Sequence, residues 1–177
     1  MTDLLRVEDL TVEFQTMAGK TRAVNGLSFR VEAGKTVAIV GESGSGKSVT
    51  AQAIMGLLPP IARRLDGRIL FNDGAKGGID LASLGQKSEA FAKIRGGRIS
   101  MIFQEPTTSL SAFHTIGDQI GEVLKIHRGA DDKVARRASI DALASVGFPD
   151  PERKVDAYPF ELSGGLCQRA MISMAMM

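Results

Sequence analysis

What the chain has little of narrows it first. It contains no tryptophan, one tyrosine, one cysteine and two histidines. The single Cys167 cannot close an internal disulfide, which fits a reducing compartment. With His114 and His127 as the only imidazoles, no metal-ligand cluster or thiol–histidine pair is signalled, and Cys167 reads as a small apolar helix residue. No apolar run approaches the ~18 residues that a membrane span requires, and the opening Met1-Thr2-Asp3-Leu4-Leu5-Arg6 is too polar to predict a secretory leader. A formal charge of only +2 gives no support to nucleic-acid binding, and Arg63-Arg64 and Arg136-Arg137 read as solvated faces. Repeats and low-complexity tracts are absent. With 44% hydrophobic residues, a folded core is still expected.

Glycine is plentiful, and it is placed. Residues 41–48 read Gly-Glu-Ser-Gly-Ser-Gly-Lys-Ser, a complete G-x-x-x-x-G-K-[ST] phosphate loop. The apolar run Thr36-Val37-Ala38-Ile39-Val40 before it predicts a buried strand, and Val49 to Leu58 predicts a helix stopped by Pro59-Pro60. Gly41, Gly44 and Gly46 would let the backbone curl so that N–H groups converge on one anion. The helix starting near Lys47 would add its positive end. In that arrangement Lys47 reaches the β- and γ-phosphates and the Ser48 hydroxyl ligates Mg²⁺.

Elsewhere the pattern is mixed. Leu5 and Val7, then Leu10, Val12 and Phe14, alternate, and Leu27, Phe29 and Val31 repeat the alternation across a turn at Met17-Ala18-Gly19-Lys20. This predicts an antiparallel pair with one buried face. Arg68 to Phe71 reads as a short strand, Asn72 to Gly78 as a polar glycine-rich stretch, the segment up to Ile94 as weakly helical, and Ile99 to Phe103 as another strand. Residues 116–127 and 131–146 read as helices, the second with Asp131-Asp132 at its start, Gly147 at its end, and Val134, Ala138, Leu143 and Val146 on its apolar side. The order predicts an α/β nucleotide core carrying a helical lobe.

A second motif follows. Tyr158-Pro159-Phe160-Glu161-Leu162-Ser163-Gly164-Gly165 leads into an apolar helix, with Ser163 suited to N-cap it and two glycines allowing close backbone approach. By itself this is an ordinary capped helix. Together with the phosphate loop it resembles the ATP-binding cassette (ABC) transporter ATPases over essentially the whole chain. The words Gly-Glu-Ser-Gly-Ser-Gly-Lys-Ser-Val, Phe-Gln-Glu-Pro-Thr-Thr-Ser-Leu and Tyr-Pro-Phe-Glu-Leu-Ser-Gly-Gly are similar to its oligopeptide/dipeptide/nickel uptake branch. Leu166 stands where the family's signature usually has Gln, a departure that the peptide branch shares. Phe160 stands where that branch commonly has His.

The resemblance implies an α/β phosphate-loop NTPase core of ABC type with an N-terminal antiparallel β subdomain and a helical subdomain. The boundaries it suggests are 1–105 for the core, 106–162 for the helical part and 163–177 for the signature helix. It implies ATP and Mg²⁺ as cofactors. Phe14 would stack on adenine or simply pack in its sheet. Gly41, Ser43, Gly44, Ser45, Gly46, Lys47, Ser48 and Val49 would hold the phosphates. Gln104, with Ser48, would contact Mg²⁺, and its loop the membrane subunit. Ser163, Gly164 and Gly165 would contact the γ-phosphate of ATP held by a second ATPase subunit. The further partners implied are permease subunits in the membrane and, indirectly, an extracytoplasmic solute-binding protein, with this subunit peripheral on the cytoplasmic face of the inner membrane and no nucleic acid involved.

The family's Asp-Glu strand and downstream histidine are not found here, since Asp-Glu occurs nowhere in the sequence. The expectation is therefore an N-terminal fragment, inactive in hydrolysis alone, in which the strands at 36–40 and 99–103 lack neighbours and expose apolar faces. The final helix, with Met171, Met174, Met176 and Met177, is expected to lose cover as well. The alternatives are a nucleotide-binding remnant without turnover, a soluble non-transport ABC ATPase, or a phosphate-loop kinase or GTPase, which leaves Leu162-Ser163-Gly164-Gly165 unexplained. The transported solute is not encoded in these residues.

Overall fold

The computed structural model describes residues 3–17, 19–72, 74 and 78–177. The chain divides into two compact units, residues 1–92 and 93–177. The first is built on strands β1 (Asp3–Thr16), β2 (Gly19–Glu32), β3 (Ala62–Phe71) and the short β4 (Ile79–Asp80), in the order β2-β1-β3-β4 with every neighbouring pair antiparallel. Helix α1 (Lys47–Ile54) lies between β2 and β3 in the chain, and α2 (Glu89–Ile94) follows β4. Buried residues include Val7, Leu10, Val12, Val24, Ile69 and Phe71 of the strands and Ala53, Leu81 and Phe91 outside them.

The antiparallel pair is as expected, with a fault in its alternation that the structure explains. Val7 and Leu10 are both buried although three residues apart, because Asp9 sits at φ 48 and the β1 ladder shifts register there against both neighbours. Such a bulge resets which face the next side chain takes. Gly67 of β3 backs onto this kink, where a Cβ would lie 2.6 Å from Leu10 Cα. The third strand is longer than the Arg68–Phe71 run predicted, since its exposed half, Arg63 to Asp66, carries no apolar alternation. Arg64 is more than a solvated cation: its guanidinium donates to the Gly67 and Ala82 carbonyls, each at 2.6 Å.

Three expectations fail in this unit. Thr36–Val40 is not a buried strand but irregular and exposed, Val40 retaining 90% of its accessible surface. A strand is stable only when a ladder satisfies its backbone groups, and none of the strands described pairs with this run. The helix after the loop ends at Ile54 rather than Leu58, because the Met55 and Gly56 amides close on Ala51 and Ala53 and Gly56 turns left-handed. The weakly helical segment before Ile94 is a composite of β4, a 3-10 turn at Leu81–Ser83 and α2. Ala18 and part of the Asn72–Gly78 stretch lie outside the described residues.

The second unit is helical: α3 (Pro106–Ser109), α4 (Ile116–Arg128), α5 (Asp132–Ser145), α6 (Pro151–Lys154) and α7 (Gly164–Met176). Its core is Leu110, Ile116, Ile120, Leu143, Phe148, Val155, Cys167 and Ala170. Asp131 stands at the start of α5 as expected, accepting from Val134 N, and Gly147 after its end is left-handed; Thr115, which accepts from Asp118 N, and Gly129, which closes α4, are caps that the reading of 116–127 did not mark. The predicted strand Ile99–Phe103 is absent apart from one bridge between Ile99 and Arg95, and Ile102 and Phe103 are exposed. The apolar exposure expected of both runs is observed, although neither forms the strand predicted.

Helix α5 buries Leu143 and packs Val146 on the core as predicted, and leaves Ala138 half-buried, but its inward side is turned away from Val134. Ala135, Ser139 and Leu143 face inward, while Val134 is exposed. The reason is close approach: a Cβ on Gly121 of α4 would sit 3.2 Å from both Ala135 Cβ and Ser139 Oγ, so small residues meet small residues at this crossing. Ser139 is fully buried with its hydroxyl donating to the Ala135 and Gly117 carbonyls. Met171 does not lose its cover but is buried, whereas Met176 is exposed.

Candidate nucleotide-binding site

The phosphate loop leaves the irregular run at Gly41, turns at Ser43-Gly44 and enters α1 at Lys47. Gly44 and Gly46 have φ 83 and 90, a region that side chains with a Cβ rarely adopt. Gly46 is constrained twice, because a Cβ there would strike the Ala23 carbonyl oxygen and lie 3.1 Å from Val24 Cγ2. Strand β2 is thus the wall on which the loop is moulded, a role that nothing in the spacing of residues 19–32 announces. Gly41 does not need left-handed backbone; its constraint is Ser45, whose Oγ would lie 2.6 Å from a Cβ.

Inside the loop, the Lys47 ammonium donates to Gly41 O at 2.8 Å, Glu42 O at 2.6 Å and Ser45 Oγ at 3.3 Å. Its three hydrogens are all engaged by the loop's own acceptors, which holds the cation centred over the turn. Buried Thr50 fastens the helix start from below, its Oγ1 donating to Gly46 O at 3.0 Å. Gly46 occupies the N-cap position and supplies no side-chain acceptor to the first-turn amides. An uncapped helix start beside a lysine is a set of donors that an anion satisfies.

The residues fit a nucleotide phosphate with Mg²⁺ by this donor set. Among the described residues no group of three or more His, Cys, Asp or Glu could hold a metal ion. A cation here would depend on hydroxyl and amide oxygens, such as the exposed Ser48, and on the phosphates themselves, the hard oxygen ligands that Mg²⁺ prefers. Phe14 is half-buried near the end of β1, paired across the sheet with Thr21 and Ala62.

Gln104, Ser163, Gly164 and Gly165 belong to the second unit and are all exposed. Gln104 precedes α3, whose start is tied by Thr108 Oγ1 and Ser109 Oγ to the Glu105 carbonyl. Ser163 N-caps α7, with its Oγ accepting from Leu166 N at 3.4 Å and its carbonyl from Leu166 N and Cys167 N. A Cβ built on Gly164 or Gly165 meets nothing within 4 Å. Just upstream, the Tyr158 and Phe160 rings stack with centroids 5.5 Å apart. Cys167 is buried with Sγ 3.5 Å from the Pro159 carbonyl, and burial pushes its thiol pKa up, which disfavours the reactive thiolate.

Comparison with known proteins decides the family. The family model described as ABC transporter matches residues 24–177. The chain belongs to the ABC transporter family. It is 48% identical over 177 residues to the dipeptide transport ATP-binding protein DppD of Bacillus subtilis (strain 168), covering 99% of this chain and 51% of that one. It is 45% identical to the oligopeptide transport ATP-binding protein OppD of the same strain, covering 99% and 48%. The DppD protein of Escherichia coli (strain K12) is 44% identical, at 97% and 50% coverage. The chain therefore spans about half the length of the curated relatives it matches. Among solved structures, the dimeric MJ0796 bacterial ABC transporter cassette superposes with a TM-score of 0.83 at 24% identity, covering 97% of this chain and 68% of that one. That likeness establishes the ABC ATPase fold.

Proposed function

We propose that this chain is the ATP-binding part of an ABC importer for peptides or a related small solute. The observation that carries it is the loop at 41–48: a lysine ammonium centred over a left-handed turn, at a helix start with no side-chain cap. The peptide branch is supported by the names of relatives 44–48% identical to it. In this reading residues 1–105 form the nucleotide core with its antiparallel sheet, 106–162 the helical subdomain and 163–177 the signature helix. When bound, ATP with Mg²⁺ supplies a phosphoanhydride whose breakage can drive transport.

The chain's own residues divide the work. Amides of Gly41 to Val49, among them those of Ser43, Gly44, Ser45 and Gly46, cradle the phosphates. Lys47 exchanges its loop carbonyls for phosphate oxygens. Ser48 and Gln104 offer oxygen to Mg²⁺, and Phe14 offers its ring to the base. Ser163, Gly164 and Gly165 face the nucleotide of a second ATPase subunit. Permease subunits in the membrane, and through them an extracytoplasmic solute-binding protein, complete the assembly. The subunit is peripheral on the cytoplasmic side; among the described residues no helix is long and apolar enough to cross a membrane.

Residues 1–177 contain no Asp-Glu pair to orient an attacking water, so binding without turnover is the behaviour proposed for them alone. Equilibrium titration with ATP and Mg²⁺ should give saturable binding, weakened about 10- to 100-fold in Lys47→Ala, the loss expected for charge-assisted bonds of ~1.5–3 kcal/mol. Phosphate release should stay at background. Binding indifferent to Lys47→Ala refutes the site, and robust hydrolysis abolished by Lys47→Ala refutes the proposed inactivity.

A further inference from the structure

The stretch between Gln104 and α4 is held by one side chain. Gln119 Oε1 accepts from Ser111 N at 2.7 Å, and its Nε2 donates to Ser111 O at 3.0 Å and His114 O at 2.9 Å. The amide orientation follows from these partners, since a flipped group would set its oxygen against two carbonyls. The stapled loop delivers the chain into α4 at Ile116. There the first two helical amides, which have no partner in their own helix, donate across to the segment before the signature: Ile116 N to Ala157 O at 2.9 Å and Gly117 N to Val155 O at 2.7 Å. Gly117 has no room for a Cβ, which would strike Val155. From Tyr158 the chain is locked turn by turn, with Tyr158 N on Glu161 Oε2, Glu161 N on Tyr158 O and Leu162 N on Pro159 O, up to the Ser163 cap. Leu110 sits in the same core as Cys167 and Ala170 of α7.

We infer that Gln119 is a positioning residue for the signature segment: it fixes the loop after Gln104 so that the first turn of α4 holds Val155 and Ala157, and with them the Ser163 cap. The functional meaning rests on reading Ser163 to Gly165 as a phosphate contact; the mechanical link does not. Gln119→Glu keeps an acceptor for Ser111 N but replaces the Nε2 donor by an oxygen that faces the Ser111 and His114 carbonyls. Gln119→Met keeps the length and removes all of these bonds, together with the longer one from Nε2 to Thr115 O at 3.4 Å.

The test is amide hydrogen exchange on the 177-residue chain without nucleotide, so that it can fail or succeed independently of ATP binding. In Gln119→Glu the Ile116 and Gly117 amides and the amides of 161–167 should exchange about tenfold faster, as expected when one or two local bonds are lost. Those of Leu124 and of β1 should be unchanged. Ser111→Ala removes only the hydroxyl contacts to His114 Nδ1 and Phe113 N, so it should leave 161–167 at the wild-type rate. Faster exchange confined to 111–115 in Gln119→Glu, or a uniform rise throughout residues 93–177, overturns the inference. Should Gln119→Glu not fold, Gln119→Met is read by the same criteria. A Ser111→Ala chain that loosens 161–167 equally also overturns it.

Discussion

Gly44→Ala and Gly46→Ala form a matched pair that tests whether the phosphate loop is moulded by its own turn or by the sheet behind it. Both residues are left-handed, at φ 83 and 90, so each alanine carries a conformational cost of roughly 1–2 kcal/mol. At Gly44 the new methyl enters open space, and that cost is the whole effect. At Gly46 the methyl lands on the Ala23 carbonyl oxygen, with Val24 beside it, and neither can move without displacing β2. Overpacking of this kind adds about 1–3 kcal/mol, so Gly46→Ala should cost roughly 2–5 kcal/mol in total. Urea unfolding followed by far-ultraviolet circular dichroism measures both, and exchange of the β1 amides assigns the loss to the first unit, since a chain of two units need not unfold in one step. Equal losses in the two variants would refute the role given to β2, and a neutral Gly46→Ala would refute the loop geometry itself.

Three other outcomes follow from the second unit. Leu143→Ala should destabilise that unit by about 2–5 kcal/mol, while Val134→Lys should stay within about 0.5 kcal/mol, because Leu143 is fully buried and Val134 faces solvent; chemical denaturation compares them. Cys167 should react with a chromogenic disulfide reagent only at the rate of unfolding, and stoichiometric fast labelling of the folded chain would contradict its burial. The hydrogen bonds from Lys125 and Arg136 hold Asp132 and Asp156 below the ordinary aspartate value of 3.8. Groups lowered on folding contribute their full stability above that value and lose it as pH falls from it through the lower value of the folded state. Between pH about 5 and about 3 the wild type should therefore lose more stability than the Asp132→Asn, Asp156→Asn double variant, by acid titration of the denaturation midpoint; parallel curves would show the pairs to be idle.

Signals of short range were legible in the sequence. The Ser163 cap and the acidic start of α5 at Asp131 were written in residues within four positions of the groups they satisfy, and the start of α1 at Lys47 lay in the motif. What depended on a distant neighbour was not. Thr36–Val40 has the composition of a buried strand, but composition supplies no ladder partner, and the run stays irregular. Val134 was misassigned because helical periodicity finds the apolar face, whereas the face that packs is the one small enough for Gly121 to approach and for Ser139 to bond the Gly117 carbonyl. Gln119 carried no motif at all. Its importance lies in which main-chain groups surround it, information that exists only after folding.

The glycines divide by what surrounds them. Gly46, Gly67 and Gly117 each have an internal reason, a backbone atom or core side chain where a Cβ would fall. Among the described residues Gly164 and Gly165 show none: a Cβ on either would meet nothing within 4 Å outside their own helix turn, neither has left-handed backbone, and both stand in the first turn of a helix. Glycine inside a helix costs about 1 kcal/mol relative to alanine, so two in succession are a standing penalty that the isolated chain does not require. If their purpose is to let an anion held by another subunit approach the helix start, Gly164→Ala and Gly165→Ala should stabilise the 177-residue chain slightly while impairing only the assembled, nucleotide-bound dimer. A stabilised chain with unchanged assembly would leave the two glycines without a function and remove the strongest physical reason for placing a partner's phosphate at Ser163.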